Sequence, residues 1–305
     1  MGEQVIPPVR GRPRPSRRKL RTRRVLALVG LLGSIALVGL LGSLALGALR
    51  ESPPPPTPVV VPPPKPLKII FPEGFTIEQM AERIAAVNKL AKERRNVTPK
   101  LKAGEYTRLT RRSKLPGEFA GDGKSRSLEG FLFPATYEFL PKTTTRQLVN
   151  KQIVAFHKAW DQLDLSYAES KNLSPYDVLI IASMVEKETL APDERSKVAA
   201  VIYNRLKAGM TLGIDATLRY GLDIPPTESI RQSQLDSDNP YNTRKLPGLT
   251  PTPIANPGLA SMQAAAHPAD VDYLFFVRRP DKVHHFFTAS EAEFLRYLAE
   301  NGYGP

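Results

Sequence analysis

The stretch VLALVGLLGSIALVGLLGSLALGAL, Val25 to Leu49, runs for 25 residues without a charged side chain. At about 1.5 Å of rise per residue, a helix of this length crosses the roughly 30 Å hydrocarbon core of a bilayer. A secretory signal has a shorter apolar core, about 7–15 residues. The stretch therefore reads as an uncleaved anchor, with the ALGA near its end as the mark of the cleaved alternative. Residues 1–24 hold nine Lys/Arg and one acid, so +8 of the formal +13 sits in this tail. Basic residues flanking a span stay on the cytoplasmic side and are drawn to anionic lipid. The tail is thus expected in the cytoplasm and everything after Arg50 outside it, with the chain crossing the membrane once. Most of the positive charge is a topology signal, so no nucleic-acid partner is needed to explain it.

The chain has 305 residues and no cysteine, which excludes disulfide frameworks, zinc–thiolate sites and thiol catalysis. ESPPPPTPVVVPPPKP, Glu51 to Pro66, has nine prolines in sixteen residues. It should form an extended spacer reaching about 50 Å at about 3.1 Å per residue. LKIIFPEGFTIEQMAERIAAV then opens a folded part: a strand over Lys68–Phe71, a turn at Pro72–Gly74, and a helix whose Thr76 and Gln79 form a capping box. LKAGEYTRL has a strand-like end, and Gly117–Ser127 reads as a polar loop. LEGFLFPATYEFLP is strand-like and broken at Pro134, and a helix through Leu148, Ile153 and Phe156 follows. In DERSKVAAVIYNRLKAGM, the residues Val198, Val201, Ile202 and Leu206 mark a buried helix face that stops at Gly209. Asp236–Gly258, with five prolines and no periodicity, reads as a long loop, equally fit to wrap the fold or to line a ligand wall. YLFFV and HHFF predict a hairpin, and Ser290 with Glu293 begins a last helix.

Chemistry enters with SPYDVLIIASMVEKETLAP, Ser174–Pro192. Ser174 as N-cap, Pro175 at the first position and Asp177 as the reciprocal acid begin a helix. At about 100° per residue, the apolar direction of Val178, Leu179, Ile180, Ile181, Met184 and Val185 points near Glu188 and away from Glu186. Glu188 is expected against the core and Glu186 in solvent. A carboxyl in an apolar setting keeps its proton toward neutrality, as a general acid must, although a glutamate in a last helical turn is most often plain surface. His284 and His285 are adjacent on a strand and face opposite ways, so they do not share a metal, and His285 reads as a cleft-edge residue. No Gly-x-Ser-x-Gly and no phosphate loop is present. Carboxylate chemistry on a glycosidic bond remains. It needs only one glutamate when the sugar's own 6-hydroxyl is the nucleophile.

At this point several motifs together resemble the MltG (YceG-like) endolytic murein transglycosylases: LEGFLFPATYEF, IASMVEKET, ERSKVAAVIYNRLKAGM, LGIDATLRYGL, NPYNTRKLPGLTPTPIANPG, AAAHPADVDYLFFV and HHFF, in family order from about Leu67 to the C-terminus. The resemblance implies a membrane-anchored lyase that cuts nascent peptidoglycan strands between MurNAc and GlcNAc and leaves 1,6-anhydroMurNAc ends. It implies no metal or cofactor, and places the enzyme beside cell-wall synthesis enzymes. The second acid of EKE, Glu188, carries over as the catalytic residue. Asp215 and Thr217 carry over as cleft residues, with a helix cap as the plain alternative, and Tyr241, Asn242 and Thr243 as groups for acetamido or hydroxyl substituents. Asn204 carries over as a bridge between the two helices or as a purely structural residue, and Glu129 and Tyr137 as residues shaping the cleft or supporting loops. The chain departs from the family in reading DAT where DPT is frequent, PATY where PDTY is frequent, and in a shortened front region.

The expected protein is α+β: a basic tail (1–24), a transmembrane helix (25–49), a proline-rich spacer (50–66), a small, shortened LysM-like α/β unit (67–127) and a larger, helix-rich YceG-like catalytic domain with a C-terminal β-hairpin (128–305). Two other readings of the same residues are a lysozyme-like hydrolase with Asp215 or Glu186 as second carboxylate, and a wall-binding module without catalysis.

Overall fold

The computed structural model of the protein describes residues 17–48, 65–120 and 125–303. The first part of the basic tail, nearly all of the proline-rich spacer and the tip of the 117–127 loop lie outside the described residues. The chain divides into two units, Met1–Pro63 and Pro64–Pro305.

The first unit contains helix α1, Arg17–Ala48. Its Val25–Ser43 stretch has no buried residue and is, among the described residues, the one helical stretch long and apolar enough to cross a membrane.

The second unit begins with β1 (Leu67–Ile70), α2 (Ile77–Arg95), α3 (Ala103–Arg111), the short strands β2 (Ser113–Lys114) and β3 (Ser125–Arg126), and β4 (Thr136–Phe139). Helices α4 (Thr145–Trp160), α5 (Ser166–Ser170), α6 (Pro175–Glu188), α7 (Arg195–Lys207), α8 (Asp215–Gly221), α9 (Gln232–Leu235) and α10 (Leu259–Ala266) follow. The described chain closes with β5 (Phe275–Arg278), β6 (His285–Thr288) and α11 (Glu291–Glu300). The strands pair antiparallel as β1 with β4, β2 with β3, and β5 with β6.

The cap signals act locally and appear where the sequence places them. Thr76 with Gln79 and Ser174 with Asp177 both form complete capping boxes. Helix α7 ends at Lys207, followed by Gly209 at φ +67°, where a side chain would be strained.

One expectation changes. LKAGEYTRL is helical, not strand-like at its end. Tyr106 and Thr110 fall four apart on the buried side of α3, and the Tyr106 hydroxyl donates to Gln152 Oε1 at 2.8 Å. Packing of that side overrides the strand preference of Tyr and Thr. Across the expected boundary at 127/128, Leu67 pairs with Phe139 and Ile70 with Thr136, and residues on both sides contribute to one hydrophobic core.

Helix α6 runs through the middle of that core. All eight residues from Val178 to Val185 are buried, which marks an interior helix rather than a one-faced one. It packs against α10, α7 and α8. Ser183, the polar residue of this run, donates to Ile180 O at 2.7 Å and accepts from Ile254 N at 3.0 Å. Full burial of Leu179, Ile181 or Met184 stabilises by about 2 kcal/mol each.

Candidate active site

Helix α6 ends on Glu188, where the core meets the surface. The residue is half-buried. Burial of its carboxyl raises the pKa to about 7, with the charge of Arg278 opposing, Asp215 adding to the rise, and the Ala216 N–H and Arg244 opposing again. A carboxyl poised there can give a proton and take one back near neutrality. The groups around it come from three separate elements. Asp215 and Ala216 begin α8, Arg244 lies in the long proline-rich segment, and Arg278 ends β5. Asp215 and Arg244 form an ion pair. Arg278 Nη2 donates to the Glu188 carbonyl at 2.7 Å.

Glu186 is half-buried, like Glu188, rather than fully in solvent. Its Oε2 accepts from Gly258 N at 3.1 Å and Ser261 Oγ at 2.7 Å, at the start of α10. Because α6 is enclosed all round, the apolar direction separates the two glutamates less than one-faced geometry predicts. What separates them is what each carboxyl meets.

The other sequence-derived positions fall into three places. Thr217 and Thr243 are buried and bonded to each other at 2.9 Å, and Thr243 Oγ1 accepts from Ile214 N at 3.0 Å. They join the long segment to the start of α8, and so set Asp215 and Ala216 beside Glu188. Asn242 is buried, with its amide donating to the carbonyls of Leu235 and Ser237, both at 2.8 Å, so it braces the segment from within. Tyr241 is half-buried. Its hydroxyl bonds Thr252 Oγ1 at 2.8 Å and its ring meets Tyr220 with centroids 5.2 Å apart.

Glu129 and Tyr137 lie elsewhere. Glu129 has no exposed surface. Its carboxyl accepts from Asn256 Nδ2 at 2.6 Å, Ile77 N at 3.2 Å and the Tyr220 hydroxyl at 3.3 Å. Burial still prevails over these three donors and raises its pKa to about 8. Asn256 completes the knot by accepting from Gly130 N and Leu132 N, both at 2.9 Å, and donating to Phe75 O at 2.9 Å. Gly130 has φ +92°, and a Cβ there would come within 2.7 Å of Pro253, so only glycine lets the two segments approach this closely. Tyr137 sits in β4, donates to Phe133 O at 2.7 Å and packs on Phe71.

Asn204 does not bridge two helices. Its amide donates to Val271 O and Tyr273 O, at 2.9 and 3.0 Å, and so holds the segment leading into β5. His285 is not at a cleft edge but buried, its Nδ1 2.7 Å from Glu194 Oε2, whereas His284 is exposed and bonds Asp281. Among the described residues no three His, Asp or Glu side chains group to hold a metal ion.

Sequence reasoning missed Arg244, Arg278, Asn256 and Glu194. Arg244 directly follows Asn242 and Thr243, so its neighbourhood was a usable signal. Arg278 and Glu194 carry none, because a lone Arg at a strand end or a Glu before a helix looks like any surface residue.

A sequence profile of the YceG-like family matches residues 52–300. An endolytic murein transglycosylase of Bacillus subtilis is 33% identical over 216 residues, covering 70% of this chain and 59% of that protein. One of Streptococcus pneumoniae is 30% identical over 247 residues, covering 76% of this chain and 44% of that protein. The chain therefore spans less than two thirds of the length of these relatives. The crystal structure of a yceG-like protein from Listeria monocytogenes superposes with a TM-score of 0.62 at 28% identity, over 77% of this chain and 76% of that one.

Proposed function

Since the chain belongs to the YceG-like family, we propose that it is a membrane-anchored lytic transglycosylase acting on peptidoglycan, with Glu188 as its acid and base. The observation that carries this reading is the carboxyl at the end of α6, raised to about 7 by burial and approached from three elements. Protonated Glu188 gives its proton to the oxygen leaving C1 of MurNAc as that bond breaks. The 6-hydroxyl of the same sugar forms the new bond to C1, and the Glu188 carboxylate takes the hydroxyl proton. No water is consumed, and the product is a 1,6-anhydro end. The Asp215–Arg244 pair and the Ala216 N–H supply fixed dipoles and charge beside the reacting centre. Thr217, Tyr241, Asn242 and Thr243 hold the wall that places them, and Tyr241 offers a half-exposed ring to a sugar.

In the same proposal α1 is the single membrane anchor, with the basic tail in the cytoplasm and residues from 65 onward outside. That places the site against newly made strands and beside the enzymes that polymerise them. Residues 67–127 are read as LysM-like. The support is a small α/β grouping within these bounds, in which β1 packs on α2 and α2 on α3.

A hydrolase of the same bond is the second reading, favoured by Asp215 lying close enough to influence Glu188. Glu186 is a poor second carboxylate, tied as it is to Gly258 and Ser261. The test is to incubate the full chain in detergent, beside E188Q, with uncrosslinked glycan strands and to weigh the products. Anhydro ends that disappear in E188Q are expected. Products heavier by one water would replace the lyase with a hydrolase, and no products from either protein would leave a binding module.

A further inference from the structure

Helix α6 leaves the Glu188 carbonyl without an intrahelical partner, as every last helical turn does. Arg278, 90 residues further on, supplies that partner at 2.7 Å. A cation at this end of a helix is also stabilised by the partial negative charge of the unpaired carbonyls.

Arg278 is not free to wander. It ends β5 and pairs with His285 on β6. Both strands are fastened to α7 or to Glu194, the residue that precedes it. On one side Arg205 Nε donates to Leu274 O at 2.6 Å, beside the two Asn204 bonds to Val271 and Tyr273. On the other, the Glu194 carboxylate accepts from His285 N at 3.0 and 3.1 Å and meets its Nδ1 at 2.7 Å. Glu194 and His285 are 4% and 2% exposed, so this clamp is shielded from water and stiff. Helix α7 in turn packs on α6. The guanidinium is therefore registered to Glu188 through a closed frame of α6, α7 and the strand pair.

We propose that Arg278 is a positioning residue for Glu188. Bonded to its carbonyl and held by the strand pair that α7 anchors, it fixes the last turn of α6 and keeps a positive charge beside the carboxyl. That charge sustains the ionised form, which must take the proton from the sugar hydroxyl. The inference rests on the reading of Glu188 as acid and base. The other charges facing Glu188 are Asp215 from α8 and Arg244 from the long segment, with Arg205 of α7 beside Arg244. Helix α10 carries no ionisable side chain. Of the influences that favour the ionised carboxyl, Arg278 is the largest.

The test uses the full chain in detergent and two readouts. Carbodiimide attacks a protonated carboxyl, so modification of Glu188 against pH, followed by peptide mass spectrometry, reports its titration whatever reaction the enzyme performs. The wild type should show a midpoint near 7. R278Q should move it up by about one unit, and the alkaline limb of the pH–rate profile should move with it. R278K should hold the midpoint near the wild-type value while turnover falls, because an ammonium keeps the charge but not the fork geometry. An R278Q midpoint equal to wild type, in protein with native circular dichroism, would overturn the proposal, as would an R278K shift equal to that of R278Q. A midpoint that moves in R278Q while the wild type cuts no glycan would support the placement of the charge and remove the transglycosylase reading.

Discussion

Glu129 and Glu188 both have carboxyls raised by burial, one to about 8 and the other to about 7. Around Glu129 stand neutral donors, an asparagine amide, a backbone N–H and a tyrosine hydroxyl, each bonded to it, with one charge, that of Glu78, adding to the rise and no surface left open. Around Glu188 stand charges, Arg278, Asp215 and Arg244, and the residue keeps part of its surface. A raised pKa is common to both and so does not by itself mark the acid. Glu129 has its bonding capacity taken up by the fold, and a substrate has no way to reach it. Glu188 is half-open and set among groups that can balance the charge of either protonation state.

The sharpest break of this comparison is removal of each carboxyl. E188Q should lose about 10²–10⁴ in kcat, the range of a general acid, with the melting temperature kept or raised. An E188Q protein that still turns over glycan at wild-type rate would end the assignment. Glu129→Ala should instead cost about 3 kcal/mol or more of stability, because it leaves one Asn256 amide hydrogen and the Ile77 N–H buried without an acceptor and opens a cavity beside them. A denaturant midpoint close to wild type would show that the knot around Asn256 closes without it.

Charge around Glu188 gives the next effect. D215N removes the neighbour that disfavours ionisation, so the Glu188 titration should fall by about one unit and the rate profile should shift toward acid. Around Glu129 the smaller change Y220F should cost about 1 kcal/mol and leave the Glu188 midpoint where it was. If D215N leaves the profile unmoved, the electrostatic difference between the two corners is not what sets their roles.

The pH dependence of stability follows from the same pair. In the folded chain both carboxyls hold their protons toward pH 7 and 8, whereas in the unfolded chain they release them near 4.5. The folded state binds more protons between those limits, so stability declines as pH rises through them. Their contribution is whole below about 4.5 and lost by about 8. Thermal unfolding of the full chain at several pH values should show this decline, and E188Q should make it shallower up to about pH 7 while leaving the part due to Glu129.

The parts legible in the sequence are those whose free energy is settled within a few residues. The apolar stretch from Val25 announces a membrane-spanning length because length and charge are local quantities. The capping boxes at Thr76 and Ser174 close over three residues, and both form. Glu188 could be singled out because its helix is continuous and its motif short. Tertiary structure decided the rest. LKAGEYTRL became α3 because Tyr106 found Gln152. Glu186 was drawn half out of solvent because the start of α10, more than 70 residues away, offered Gly258 N and Ser261 Oγ. Glu129 became a keystone through Asn256, 127 positions off, and Arg278 reached Glu188 across 90. A side chain's partners at such separations depend on which surfaces meet when the core closes, and no window of neighbouring residues contains that information.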